Sequence, residues 1–216
     1  MTSPLAPRLL RAGLVLVDPD SGTPLQTIAL QYNPDTLTRS FQIKGTGADG
    51  GDRSEALRLK GPAVETLKLE AELDATDRLA EADAQTVRLG LQPELATLEM
   101  LVHPRSQRLT ANASMAGQGE LEIVPMRSPL TLFVWGTSRI VPVRVTELSI
   151  TEEAFDIHLN PTRAKVSLGL RVLTVDDLGA GTRGGGLFMS YLAKKEQLAA
   201  AAVRGSFATL GIPGIP

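Results

Sequence analysis

Hydrophobic and charged residues alternate most regularly over residues 63–74, where Leu67, Leu69, Ala71 and Leu73 are interleaved with Lys68, Glu70 and Glu72. Successive side chains of a strand point to opposite faces, so this segment predicts an antiparallel strand with one buried face. Val166, Leu168, Leu170 and Val172 alternate in the same way with Lys165, Ser167, Gly169 and Arg171. Residues 140–150 continue the period of two through Val141, Val143 and Val145, and residues 130–135 form a continuous apolar strand. Nearer the start, residues 12–17 and 25–32 flank the turn-rich Asp18-Pro19-Asp20-Ser21-Gly22, which predicts a hairpin. Asn33-Pro34-Asp35 breaks the ladder, because Pro34 has no N–H to donate. Extended structure resumes over residues 36–44, with Leu37, Phe41 and Ile43 as apolar points.

Helical spacing is rarer. Pro93-Glu94 suits a helix start, and Leu95, Leu98, Leu101 and Val102 follow at helical intervals until Pro104. Residues 76–92 are polar and Ala-rich, a partly helical composition. The segments 45–60 and 105–126 read as long loops, the first rich in Gly and Asp and expected to be mobile in the free subunit. Residues 179–186 hold five Gly in eight, and residues 187–204 then predict one helix with Leu187, Tyr191, Leu192 and Leu198 toward one side. This change of composition predicts a boundary near Leu178. Residues 1–178 form the main β domain, and residues 179–216 form a Gly-rich linker and a helical arm outside the core. Truncation after Leu178 is then expected to leave the first domain folded.

The chain has 216 residues, a net charge of -2, 4% aromatic residues and no Cys. Aliphatic side chains must therefore fill the core, and disulfides and thiolate metal sites are excluded. The charge balance offers no basic footprint for nucleic acid. No apolar run reaches about 18 residues, so no spanning helix is expected, and the first eleven residues lack the apolar run of a signal peptide. Two G-x-G-x-x-G matches, at residues 45–50 and 179–184, lack the βαβ context that dinucleotide binding needs. His103 and His158 have no companions in the sequence that suggest a metal site or a triad. Glu152-Glu153 and Asp176-Asp177 read as solvated loop charge. No catalytic, cofactor-binding or metal-binding residue is expected, and no enzyme activity.

Two segments carry a more specific signal. Residues 30–39, Leu-Gln-Tyr-Asn-Pro-Asp-Thr-Leu-Thr-Arg, pair an aromatic-Asn-Pro step with a polar strand. Residues 155–168 run from Phe155 through Asn160-Pro161 into Thr162-Arg163-Ala164-Lys165 and an alternating strand, preceded by residues 143–150. In this order and context they resemble the tube-protein family of contractile injection systems, over roughly residues 11–175. The resemblance implies a mainly β, tail-tube-like antiparallel sandwich or barrel with one packed helix, plus the C-terminal helical arm. It further implies a structural adaptor, a six-fold homo-oligomeric ring linking the spike hub and baseplate to the inner tube. The implied partners are the inner tube protein, the spike or hub protein and baseplate components, with no nucleic acid and no membrane insertion. The implied location is the cytoplasm, within a releasable phage-tail-like particle.

Some relatives carry a C-terminal LysM-type module, for which residues 179–216 are too short. Candidate interface residues on this view are Tyr32, Asn33, Pro34, Leu37, Arg53, Arg105, Arg108, Thr162, Arg163, Tyr191 and Leu192. A competing reading from the residues alone is a monomeric β-sandwich module that binds a small ligand or carbohydrate.

Overall fold

The computed structural model describes residues 10–45, 58–117, 128–202 and 205–215. Seven strands form one antiparallel sheet: β1 Gly13–Val17, β2 Pro24–Ala29, β3 Leu37–Gln42, β4 Val64–Asp74, β5 Leu130–Val134, β6 Ile140–Phe155 and β7 Pro161–Val172. Their order is β2-β1-β5-β6-β7-β4-β3. The mainly β, antiparallel expectation holds. The sheet is not closed into a barrel: β2 and β3 stand at its two edges. Helices cover one face instead.

Register explains the core. Leu67, Leu69, Ala71 and Leu73 of β4 stand opposite Leu170, Leu168, Val166 and Ala164 of β7, and all eight are buried. Across β7, Val172 and Leu170 meet Val143 and Val145 of β6. The β6 register shifts between Val145 and Glu147, and Leu148 and Ile150 then face Leu168 and Val166. One extra residue thus keeps a 16-residue strand's apolar side on the core after its alternation changes phase. The same face continues through Phe133 of β5 and Leu14 of β1.

This face curls. In a flat sheet β4 would lie five places, about 24 Å, from β2. Yet Gln31, two residues past β2, hydrogen bonds Asp74 at the end of β4. Into the curved face packs α3 (Gln92–Glu99) through Leu95 and Leu98, with Leu91 just before it. The segment 76–92 is helical in part, as α1 (Thr76–Ala80) and α2 (Ala84–Leu89). The second expected loop is corrected in its described part, because Ser106–Gly117 forms α4. Most of the first loop, and the mobility expected of it, lies outside the described residues. Its ends are stapled by the Lys60 N–H to the Lys44 carbonyl at 2.8 Å.

The C-terminal arm is also corrected. After α5 (Val175–Leu178), helix α6 (Arg183–Ala200) starts inside the Gly-rich run and buries Phe188 and Tyr191 in the main core. The glycines serve contact here. A Cβ on Gly185 would sit 2.1 Å from the Gly179 carbonyl oxygen, and one on Gly184 2.5 Å from Leu178 Cδ1. Composition suggested a flexible tether, but the absence of side chains permits close packing of the first turn of α6 on the α5–α6 turn.

Candidate functional site

Residues 31–34 turn the chain out of β2. Gln31 donates from Nε2 to the Asp74 carbonyl at 2.7 Å and accepts at Oε1 from the Asp74 N–H at 3.0 Å. Asn33 repeats the device: Oδ1 accepts from the Ala12 N–H at 2.9 Å, and Nδ2 donates to the Leu10 carbonyl at 2.7 Å. A primary amide presents a donor and an acceptor side by side, so each side chain replaces a peptide unit of a ladder. Pro34 follows where no N–H is required. Tyr32, between the two amides, is exposed.

The second Asn-Pro step closes the β6–β7 hairpin. Asp156 accepts from the His158 N–H (2.7 Å), the Asn160 N–H (2.8 Å) and Asn160 Nδ2 (2.9 Å). These bonds, the Asn160 side chain first, hold its carboxyl below the usual Asp range despite the opposing effect of desolvation. Asn160 is buried, donates to the Arg88 carbonyl and accepts from Gln92 Nε2. Between these clamps Leu159 adopts φ +63, a left-handed conformation that costs a bulky residue about 1–2 kcal/mol. Ile157 and Leu159 are 91% and 78% exposed.

The two corners, remote in sequence, meet at one end of the sheet. Asp74 accepts from Gln31 Nε2 at its carbonyl, donates its N–H to Gln31 Oε1 and pairs with Arg163 Nε at 3.3 Å, while the neighbouring Ala75 N–H donates to the Thr162 carbonyl. The Thr76 hydroxyl and N–H, ahead of Arg163, keep the Asp74 carboxyl below its usual range.

Elsewhere the core face carries charge. Glu65 lies in the phase of Leu67 and Leu69 on β4 and is 3% exposed. Arg39, on β3, bonds it at 2.8 Å, Lys195 of α6 at 2.9 Å, and the Tyr191 hydroxyl lies 3.1 Å from Oε1. Lys195 Nζ also lies 4.1 Å from the Tyr191 ring centroid and 5.1 Å from that of Phe41. Burial pushes the Glu65 carboxyl up, but the bonds and charges of Lys195 and Arg39 outweigh it and hold it below the ordinary range. The cluster ties α6 to edge strand β3 and was missed in the sequence. Its signal was two opposite charges, Arg39 and Glu65, each in the apolar phase of its strand.

A cavity of about 320 Å³ opens between β2, α3 and the β4–β7 pair, lined by Ile28, Leu30, Leu73, Glu94, Leu98 and Leu168 among others. Glu94 Oε1 pairs with Arg78, and Glu94 Oε2 is buried with no partner among the described residues.

The expected interface residues thus divide. Asn33 and Tyr191 spend their side chains inside the chain, and Leu37 and Leu192 are half buried against the core. Tyr32, Arg105, Arg108 and Arg163 are exposed, Pro34 and Thr162 are half buried, and Arg53 lies outside the described residues. The adjacent acids are not free loop charge: Glu153 in β6 pairs with Lys165, Asp176 with Lys44 and Asp177 with Arg171. Among the described residues no cluster of three or more acids or histidines could hold a metal ion. No described helix is long and apolar enough to cross a membrane.

No protein-family model matches the chain, and no curated protein matches it. Among solved structures, a chain from the tail of an empty gene transfer agent particle with C6 symmetry is similar at 11% identity. That match covers 75% of this chain and 90% of that one, with a TM-score of 0.30. A chain from the virion of a native gene transfer agent particle is similar at 10% identity over 74% and 90%, with a TM-score of 0.29. At such TM-scores the likeness carries no argument about this chain.

Proposed function

We propose that this chain is a structural subunit of a phage-tail-like contractile injection particle, forming the six-fold adaptor ring between the spike hub or baseplate and the inner tube. The observation that carries the reading is the convergence of both Asn-Pro segments on one end of the sheet. Four side-chain and backbone locks make that end rigid, and it presents Tyr32, Phe155, Ile157 and Leu159 to solvent. Rigid exposed apolar groups lose little entropy on docking and mark contact surfaces. The open sheet adds two edge strands, β2 and β3, each with no ladder neighbour on its outer side among the described residues, and sheet edges are docking sites for added strands.

In this reading residues 1–178 build the ring, and residues 179–216, anchored to the core through Phe188 and Tyr191 of α6, face the baseplate. Tyr32, Arg105, Arg108 and Arg163 make subunit contacts, and Leu37 and Leu192 support the surface from beneath. The test is electron microscopy and native mass spectrometry of the full chain, alone and with its particle's tube and spike proteins. Six-fold rings seated between spike and tube are expected. Particles that assemble and fire without this chain would sink the proposal.

The cavity beside α3 favours one alternative, a monomeric β module that binds a small ligand or carbohydrate, since a pre-formed pocket of about 300 Å³ is within the range for such sites. Saturable glycan or small-ligand binding by a strictly monomeric chain would support that alternative.

A further inference from the structure

The sheet curls toward closure without reaching it, and a cleft remains at the seam. One end of the seam is stapled, where Gln31 bonds both the carbonyl and the N–H of Asp74. Beyond that staple, Gln26 to Leu30 line the cavity of about 320 Å³ together with β4, β7 and α3, and no residue of β1, β5 or β6 takes part. The cavity therefore lies on the side of β2 that has no ladder neighbour among the described residues. A strand face offers alternate residues, so five consecutive ones line a single space only where the strand presents its edge.

The ladder fixes what that edge offers. The Leu30 N–H donates to the Ala12 carbonyl at 2.9 Å, next to the Gly13–Ala29 pair. In an antiparallel pair the ladder bonds come from alternate residues. Ile28 and Gln26 thus direct their backbone groups to β1, and Ala29 and Thr27 direct theirs outward, to the cleft. The opposite wall is α3, whose Pro93, Glu94, Thr97 and Leu98 stand at one-turn spacing along one side of the helix. A free strand edge takes an extended peptide as an added strand, and the helix facing it turns this edge into a groove.

The lining selects the peptide. An apolar cavity on the order of 150 Å³ holds a benzene-sized group, so about 320 Å³ takes two aliphatic side chains. Alternate residues of a strand put two side chains on one face about 6.5–7 Å apart. Among the described residues lining the cavity there is no Lys, Arg, His or aromatic side chain, so none of them pairs a terminal carboxylate or an acidic residue, or stacks a sugar. Its one acid, Glu94, is already paired with Arg78, and Gln26, Thr27 and Thr97 are uncharged. We propose that the cleft binds an uncharged, extended segment of a partner protein, added as a strand on β2 with aliphatic side chains at two alternate positions over Leu73, Val166 and Leu168. The inference does not depend on ring assembly.

The probe is a fluorescein-labelled peptide as long as β2, six residues, with alternating Val and Thr and both ends capped, read by anisotropy on the full chain. Saturable binding is expected. An added strand bonds through alternate amides, so N-methylation of one alternate set should weaken binding about tenfold or more, and methylation of the other set much less. Thr27→Pro deletes an outward N–H and spares the β1 ladder, so the variant should melt as a folded chain yet bind the peptide about tenfold more weakly. No saturable binding, or equal losses from the two methylated sets, would overturn the proposal. If Thr27→Pro does not fold, the two methylated peptides decide the matter on the parent chain. Saturable binding of an aliphatic alcohol without binding of the peptide makes the cleft a small-molecule site and overturns the strand. Dimerisation of the parent that Thr27→Pro abolishes gives the edge to a second copy, with the same result.

Discussion

Glu65 occupies a position that the alternation of β4 otherwise gives to leucine. An unpaired carboxylate there would be severely destabilising, and Arg39, Lys195 and Tyr191 remove that cost. Its folded pKa is depressed, so the group binds protons less readily in the folded chain than in the unfolded one. The stability it contributes is full above the ordinary Glu value of about 4.3 and is lost as pH falls through the lower folded value. Glu65→Gln should therefore cost about 1–3 kcal/mol at neutral pH, since Arg39 and Lys195 reach solvent and can rehydrate. It should also flatten the decline in stability below about pH 4.3. Urea melts of both proteins across pH 3–7 check this, and an identical acid decline in the variant would contradict the assignment.

Within elements, the glycines at the start of α6 separate propensity from packing. Gly186→Ala has open space around its Cβ and should raise stability by about 0.5–1 kcal/mol, as alanine does in a helix. Gly185→Ala has the same propensity gain but places its Cβ against a backbone oxygen, so it should lower stability by about 2 kcal/mol or more. Opposite signs for adjacent, chemically identical substitutions, read by thermal melts, would confirm that the first turn is wedged in place. Equal signs would restore the flexible-linker reading of that run.

The helix as a whole follows. Truncation after Leu178 removes buried Phe188 and Tyr191, each worth about 1.5–3 kcal/mol of apolar burial, and strips Glu65 of Lys195. A loss above about 3 kcal/mol is expected, or roughly 6–12 °C in Tm for a chain of this size. A shift of only a few degrees in calorimetry would return α6 to the status of a detachable arm.

At the scale of the molecule, surface charge should govern association and leave folding nearly untouched. Arg105 and Arg108 lie on the exposed side of α4 or beside it. The double change Arg105→Glu, Arg108→Glu should move Tm by no more than about 1 kcal/mol in stability terms, yet slow ring formation and reduce its salt dependence. Light scattering at low and high salt separates the two effects. Assembly rates equal to the parent's at both salts would remove these arginines from the interface.

The sequence by itself determined the strands, because a period of two in β4, β6 and β7 survives any tertiary arrangement: each strand must bury one side. It also determined that the Asn33-Pro34 step is a break, since Pro cannot donate to a ladder. Tertiary structure decided what the sequence left ambiguous. Gly179 to Gly186 has the composition of a tether, and only the proximity of the Gly179 carbonyl makes it a packing joint. Gln31 and Asn33 look like polar loop residues until the curl of the sheet brings Asp74 and Ala12 within reach of their amides. Ile157 and Leu159 follow the apolar preference of a core, yet the Asp156–Asn160 clamp turns them outward. Local pattern encodes which face a residue prefers; which atoms finally meet it depends on contacts between segments far apart in the chain, and those form only when the open sheet has curled over its core.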